Sequence, residues 1–190
     1  KRQSTRIYFK NGDTDFFFNW LLGIGEVFGF SHGELYFLTQ KLGKSPKPDD
    51  WKNIFLSHGN YLKQKASNSD LSEQTKAQYY LAQTYSLRSA IQFINPFSDE
   101  YLSTVHQMEQ AFSNAIHSLG APIEKLTITY QDSYLPGYYL HTGDDCPTLI
   151  MIGGGDTYRE DLFYFAGYPG WIRKYNVLMV GLPGQGSNPS

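Results

Sequence analysis

Two continuous apolar runs near the end of the sequence constrain the fold more than any other feature. They are TLIMI (148–152) and NVLMVGL (176–182), and such runs are typical of parallel strands that are covered on both faces. The segment between them contains DTYREDLFYFAG and is long enough for a crossover helix, with Asp156 or Thr157 as its cap. The sequence therefore predicts a strand, a glycine loop, a helix and a second strand, joined by a right-handed crossover.

A change of hydrophobic period near residue 122 divides the chain. Within residues 14–119, apolar side chains recur at spacings of three and four, which is typical of helices. From residue 123 the period becomes two: IEKLTITYQD alternates apolar and polar residues, and a turn-like SYLPG leads to YYLHTG, which predicts an antiparallel hairpin. We therefore expect a helical domain over residues 1–122 and a strand-containing domain over residues 123–190.

Composition excludes several classes of protein. The 190 residues carry a net charge of −2 and their basic residues do not cluster, which argues against nucleic-acid binding. Cys146 is the only cysteine, so an intrachain disulfide is impossible and a reducing, cytoplasmic location is favoured. The most apolar segment, FFFNWLLGIGEVFGF (16–30), is broken by Asn19 and Glu26 and is too short to span a bilayer. We expect it to form a core helix or to line a cavity.

The three glycines Gly153–Gly155 at the end of the first apolar run do not fit a phosphate loop. A P-loop needs a lysine that is missing here, and the dinucleotide pattern G-x-G-x-x-G meets Tyr158 at its third glycine. The pair Gly184 and Gly186 fails the same test at Pro189. Two interpretations remain: a tight turn without chemistry, or backbone N–H groups that stabilise the oxyanion of an acyl-transfer reaction.

The stretch GGGDTYRED, followed by a strand and LPGQGSNP, resembles the capped α/β-hydrolases. These include the fermentation–respiration switch esterases, pseudooxynicotine hydrolases and acylaminoacyl-peptidase-like enzymes. In that group Gly-Gly-x-[DE]-[ST]-x-[KR]-[DE] follows the third strand and D-x-P-G-x-G-x-S follows the fourth. One departure is Gly181, which stands where the family has an acid. The resemblance implies an α/β fold with an N-terminal all-helical cap followed by the first four strands of the hydrolase sheet, an antiparallel hairpin and then parallel strands.

The resemblance also implies roles for residues of the two glycine loops. The backbone N–H of Gly155 would be one donor of the oxyanion hole, and Gly153 and Gly154, with Asp156, would shape the loop and adjoin the substrate. Thr157, Arg159 and Glu160 would start the helix behind it. Gly184 and Gly186 would turn the chain beside the pocket, although a plain turn is an equally good interpretation of that pair.

The catalytic residues that the family uses are not found in this sequence. The nucleophile pattern G-x-S-x-G is absent, since Ser187 lies in QGSNP. His141 ends a hairpin strand, and the other histidines lie in the helical half: His32, His58, His106 and His117. We therefore expect no metal, no cofactor and no activity from this chain alone, which would be the N-terminal portion of a chain about twice as long. A sheet that ended at its fourth strand would also expose an apolar edge.

These observations favour a serine hydrolase that cleaves an ester, amide or acyl-peptide bond through an acyl-enzyme. Its partners would be a small-molecule or short peptide substrate and the C-terminal half of the hydrolase domain, on the same or a separate chain. The helical half would form a lid over the pocket; neither nucleic acid nor a membrane is expected, and a homodimer is left open. The alternative is a non-catalytic α-helical interaction module attached to a degenerate hydrolase core, which would leave the glycine loop unexplained.

Overall fold

The computed structural model describes residues 5–25 and 31–187. They fall into two compact units, one within residues 1–119 and one within residues 120–190. The first unit is helical and the second contains the described strands. Each unit is described separately.

Among its described residues, the helical unit contains five α-helices: α1 (Gly12–Gly25), α2 (His32–Gln40), α3 (Pro48–Ala66), α4 (Glu73–Ile91) and α5 (Asp99–Leu119). Their starts follow local rules, because Pro48 occupies the first turn of α3 and the hydroxyl of Ser98 accepts from Tyr101 N at 3.2 Å. The side chain of Ser72 likewise accepts from Thr75 N at 3.2 Å at the start of α4.

Helix α4 lies at the centre of this unit. It packs against both α3 and α5, and every residue from Leu81 to Ile91 is buried. Apolar residues at spacings of three and four predict a helix with one buried face. In this part of α4 the polar residues are buried as well, because neighbouring helices enclose it. Trp51 of α3 donates from Nε1 to the Ser89 carbonyl at 3.1 Å, which ties the two helices together through a buried hydrogen bond.

The apolar segment 16–30 contributes to this core as far as the structure describes it. Phe18, Leu21 and Ile24 of α1 are buried, and the ring of Phe18 contacts that of Phe9 at a centroid distance of 5.4 Å. Residues 26–30 lie outside the described residues. Within the described ranges, the search for a helix with the length and hydropathy of a membrane span finds none.

The carboxylate of Asp15 holds the segment that precedes α1. It accepts hydrogen bonds from the backbone N–H groups of Ile7, Tyr8 and Phe9 at 2.9, 2.7 and 2.7 Å. Burial raises the pKa of this carboxyl, but the three N–H groups and the charge of Arg6 outweigh burial, so that the pKa lies below its usual value of 3.8. The charged form of Asp15 is thus part of the folded unit.

The second unit is built on a four-stranded sheet. Its strands are β1 (Ile123–Tyr130), β2 (Ser133–Leu140), β3 (Thr148–Ile152) and β4 (Asn176–Val180), in the order β1-β2-β4-β3. Antiparallel pairing joins β1 to β2 and β2 to β4, whereas β3 and β4 are parallel. The predicted hairpin followed by parallel strands is therefore confirmed. Its turn is tighter than expected, because SYLPG belongs to β2 and the chain reverses at Gln131, whose φ is 51°.

The predicted crossover helix is present, but it begins later than its sequence suggests. It consists of α6 (Arg159–Leu162), a π-helical turn (Phe163–Gly167) and α7 (Tyr168–Ile172). Tyr158, and neither Asp156 nor Thr157, is the N-cap residue, and Asp161 Oδ2 accepts from its backbone N–H at 2.9 Å. Thr157 N donates instead to Gly154 O at 3.0 Å, which keeps residues 154–157 in a turn.

The two apolar strands differ in burial. Four of the five residues of β4, which lies between β2 and β3, are buried. The edge strand β3 leaves Leu149, Ile150 and Ile152 41%, 61% and 55% exposed. The prediction that both runs are covered on two faces is right for β4 and wrong for β3. Leu149 and Ile150, which point to opposite faces of the sheet, are both exposed, because the described residues do not fully cover either face at this end of the sheet.

Candidate functional site

The glycine loop leaves the carboxyl end of β3 and leads into α6. Ile152 is the last residue of β3, Gly153–Gly155 follow, and α6 begins at Arg159. The hydrogen bond from Thr157 N to Gly154 O closes the loop into a turn. In sheets with parallel strands, ligands bind outside the carboxyl ends of those strands, and this loop lies at that position.

The three glycines differ in how closely neighbouring atoms approach them. None of them has a positive φ, so backbone conformation does not explain them. A Cβ added to Gly153 would lie 2.5 Å from Thr157 Cβ, whereas a Cβ on Gly155 would meet no atom within 4 Å. Gly153 is thus needed for close packing inside the loop, and Gly155 borders open space.

The backbone N–H of Gly155 is available to a ligand. Gly155 is exposed, and no described residue accepts a hydrogen bond from its N–H. Backbone N–H groups that are held beside a reacting carbonyl stabilise the negative charge on its oxygen during acyl transfer. Asp156, the other candidate in this loop, is also exposed.

A second loop, residues 181–187, leaves the neighbouring strand β4. Gly184 and Gly186 have φ angles of 85° and 58°, a conformation that side chains other than glycine rarely adopt. The loop is tied to β2 by a hydrogen bond from Gly181 N to Pro136 O at 2.8 Å. Ser187 is the last residue that the structure describes here, and Pro189 lies outside the described residues.

Gln185 joins the two loops. Its side chain is buried, at 6% exposure, and its Oε1 accepts from Leu182 N at 3.0 Å. Its Nε2 donates to the carbonyl oxygen of Gly154 and, at 3.5 Å, to that of Gly155. In the sequence, Gln185 stands at the first glycine position of the failed G-x-S-x-G pattern around Ser187 and was not predicted as a site residue. The signal that could have identified it is an amide side chain between two glycines, Gly184 and Gly186, in the loop after an apolar strand.

The start of α6 is anchored to β2 by buried polar contacts. Glu160 is almost fully buried, and its Oε1 accepts from the hydroxyl of Tyr138 at 2.8 Å and from Arg159 Nε at 2.9 Å. The guanidinium of Arg159 lies 4.8 Å from the centroid of the Tyr138 ring. Arg159 and Glu160 therefore fix the helix that follows the glycine loop.

The histidines of the helical unit are not part of this loop. The ring of His58 lies 3.1 Å from Ser86 Oγ and 3.0 Å from Glu34 Oε1, a grouping of the residue types found in catalytic triads. Ser86 is fully buried, however, and its hydroxyl donates to Phe55 O at 2.8 Å. This serine is therefore a structural link between α3 and α4.

His141, at the end of β2, lies 3.1 Å from the exposed Asp144. Over the described ranges, no group of three His, Cys, Asp or Glu side chains is arranged to hold a metal ion.

Two curated relatives that match this chain are named as hydrolases. No family model matches the chain. The hydrolase phmG of Phaeosphaeria nodorum is 29% identical over 174 residues, which cover 79% of this chain and 39% of that protein. The α/β hydrolase ucsC of an Acremonium species is 26% identical over 188 residues, which cover 87% of this chain and 38% of that protein. The chain thus spans about two fifths of the length of these curated relatives.

A solved structure shares the fold. The crystal structure of the 2,6-dihydroxy-pseudo-oxynicotine hydrolase superposes with a TM-score of 0.65 at 20% sequence identity, over 86% of this chain and 46% of that chain. The helical region followed by a mixed sheet, antiparallel and then parallel, is therefore the arrangement of an α/β-hydrolase over the part that this chain covers.

Proposed function

Because the chain has an α/β-hydrolase-like fold over the part that it covers, we propose that it contributes a donor of the oxyanion hole to a serine hydrolase. The observation that supports this most directly is the N–H of Gly155, which is exposed at the carboxyl end of β3 and bonded to no described residue. The hydrolase names of the curated relatives agree with it.

In the proposed reaction a serine hydroxyl attacks the carbonyl carbon of an ester, amide or acyl-peptide bond. The carbonyl oxygen gains negative charge, and Gly155 N–H donates a hydrogen bond to it. Collapse of the tetrahedral intermediate expels the leaving group and forms an acyl-enzyme, which water then hydrolyses. Removal of one such donor lowers kcat by roughly 100- to 1,000-fold in enzymes of this kind.

The serine, the acid and the histidine belong, in this proposal, to sequence outside these 190 residues, on the same or a separate chain. The remaining strands of the sheet would pair with β3. The support for this is the exposure of Leu149, Ile150 and Ile152 on that strand. In this proposal the substrate is a small molecule or a short peptide.

A fluorophosphonate probe tests the proposal, since it labels only an activated serine. In the full-length protein we expect one labelled serine, identified by mass spectrometry, and hydrolysis of a p-nitrophenyl ester. Gly155→Pro, which has no N–H, should lower the rate by roughly 100-fold or more. Gly155→Ala keeps the N–H and has room for its methyl group, so it is the matched control and should retain most of the rate.

Absence of labelling in protein whose circular dichroism shows it to be folded would reject the serine hydrolase. The non-catalytic interaction module would then be the better account. Equal loss of activity in Gly155→Pro and Gly155→Ala would reject the role of the N–H while leaving the hydrolase intact.

A further inference from the structure

We propose that Gln185 is the positioning residue that sets the direction of the Gly155 N–H. The inference rests on the proposed function only in naming that N–H as the oxyanion donor. The orientation of the glycine loop by one side chain is inferred from contacts within the second unit and does not depend on the reaction.

The peptide bond between Gly154 and Gly155 couples the Gly154 carbonyl to the Gly155 N–H. The peptide group is planar, and in its trans form the carbonyl oxygen of one residue and the N–H of the next point in opposite directions. Any group that holds the carbonyl of Gly154 therefore also sets the direction of the N–H of Gly155. Two donors hold this carbonyl: Gln185 Nε2 and Thr157 N, the latter at 3.0 Å.

The two donors are not equivalent. Thr157 belongs to the same loop as Gly154 and moves with it, so its hydrogen bond closes the turn without fixing it relative to the sheet. Gln185 belongs to the loop that follows β4. Strand β4 is paired with β3, and the last pair joins Val180 of β4 to Ile152 of β3. The contact from Gln185 therefore links the Gly154 carbonyl directly to the loop of the neighbouring strand. A run of three glycines, with its wide choice of backbone angles, needs such an external contact.

Gln185 is itself held in one orientation. Its backbone N–H donates to Leu182 O at 3.1 Å, and its Oε1 accepts from Leu182 N at 3.0 Å. Because the oxygen end of the amide is engaged by an N–H donor, the NH2 end must face Gly154 and Gly155. The reversed amide would place an oxygen against the Gly154 carbonyl and an NH2 group against the Leu182 N–H, so the network leaves one orientation.

The flanking glycines allow this placement. Gly184 and Gly186 have positive φ angles on either side of Gln185, and the side chain between them is buried. The Gly-Gln-Gly sequence therefore acts as a tight loop that points one amide at the neighbouring glycine loop. This accounts for the glycines by geometry and needs no nucleotide ligand.

Backbone order in the glycine loop tests this orientation by Gln185 without reference to activity. We would measure the {1H}–15N nuclear Overhauser effect of Gly153–Gly155 in labelled protein and in Gln185→Met, which keeps the length of the side chain and removes the donor. The matched control is Gln74→Met on the exposed surface of α4. We expect lower values at the three glycines in Gln185→Met, unchanged values in β3 and β4, and no change in the control.

Gln185→Glu gives a second, reversible variant. Its ionised carboxylate accepts hydrogen bonds only and should loosen the loop at neutral pH. Protonation below the usual glutamate pKa of about 4.3 restores a donor and should restore order. Unchanged order at Gly153–Gly155 in both variants at neutral pH would overturn the inference, whether or not the protein is an enzyme.

The link to catalysis is tested with a double-mutant cycle in the full-length protein. Misplacement of a catalytic group can cost up to about 100-fold in rate, so we expect Gln185→Met to lower kcat by roughly 10- to 100-fold with KM nearly unchanged. In a Gly155→Pro background the same change should have little further effect, because the N–H is already gone. An equal loss in both backgrounds would overturn the positioning role. If wild-type protein neither labels nor hydrolyses, the proposed function fails, and loop order alone then supports or overturns the orienting contact of Gln185.

Discussion

The side chain of Thr157 fills the space that a Cβ on Gly153 would need, with Thr157 Cβ 2.5 Å from that position. Two residues further on, a Cβ on Gly155 would meet no atom within 4 Å. The first and third glycines of one motif thus face opposite conditions, a closed loop interior and an open surface. This difference leads to a prediction about stability that does not depend on the reaction.

We expect Gly153→Ala to lower the free energy of unfolding by about 1–3 kcal/mol, because the added methyl group forces Thr157 or the loop backbone to move. Gly155→Ala should change it by less than about 1 kcal/mol, since no atom is displaced. Urea unfolding of both variants measures the difference. Thr157→Gly in the Gly153→Ala background should recover part of the loss, and equal costs for the two alanine variants would contradict the packing argument.

The hydroxyl of Tyr138 supports the start of α6 through Glu160. Tyr138→Phe removes the donor at 2.8 Å from an almost fully buried carboxylate. We expect a loss of about 1–3 kcal/mol in the free energy of unfolding, since a buried charged acceptor loses a partner. Tyr139→Phe is the control on the same strand, at a half-buried position. A loss in the control as large as in Tyr138→Phe would mean that the contact to Glu160 contributes nothing specific.

From the contacts of Asp15 we expect the stability of the helical unit to depend on pH. The folded-state pKa of this carboxyl is lowered, so its contribution is present above the unfolded pKa, near 3.9, and is lost as pH falls through the folded value. Asp15→Asn should therefore be less stable than wild type at pH 7, by about 1–3 kcal/mol. The gap should narrow below about pH 4.

Urea unfolding at pH 7, 5 and 3 checks this prediction. Asp13→Asn is the matched control, because Asp13 is an exposed acid in the same first turn of α1. A gap between wild type and Asp15→Asn that stayed constant over this range would show that the charge of Asp15 does not stabilise the fold.

The exposed edge strand β3 leads us to expect that this 190-residue chain self-associates when it is studied by itself. Ile150 is 61% exposed, and Leu149 and Ile152 of the same strand are also exposed. Apolar edge strands promote association between molecules. We expect concentration-dependent self-association in light scattering, and Ile150→Lys should reduce it because a lysine at an edge disfavours strand pairing. Ile172→Lys, at a comparably exposed apolar position outside the strands, is the control and should have the smaller effect.

Much of the fold could be predicted from local patterns. The spacing of apolar residues indicated helices before residue 120 and strands after it, and Pro48 and Ser98 lie at helix starts, where proline and serine are favoured. Alternation in IEKLTITY predicted β1, and continuous apolar runs predicted β3 and β4. These features could be read because hydrophobic periodicity and helix capping depend on residues close together in the chain.

Other features lay beyond local patterns. The same apolar character gave a buried β4 and an exposed β3, because burial depends on the place of a strand in the sheet. The N-cap moved to Tyr158 because the turn of residues 154–157 uses Thr157 N, and α4 is buried on all sides from Leu81 to Ile91 because α3 and α5 enclose that part of it. In each case a neighbour distant in sequence or a competing hydrogen bond decided the outcome.

In the candidate site, too, some features could be predicted from the sequence and others depend on the tertiary structure. By itself the sequence determined that three glycines follow an apolar strand and that a Gly-Gln-Gly loop follows the next, since both are runs of adjacent residues. Only the tertiary structure decided that Gln185 reaches the carbonyl of Gly154. That contact exists because β3 and β4 are parallel neighbours, which brings loops about 30 residues apart in the chain to the same edge of the sheet.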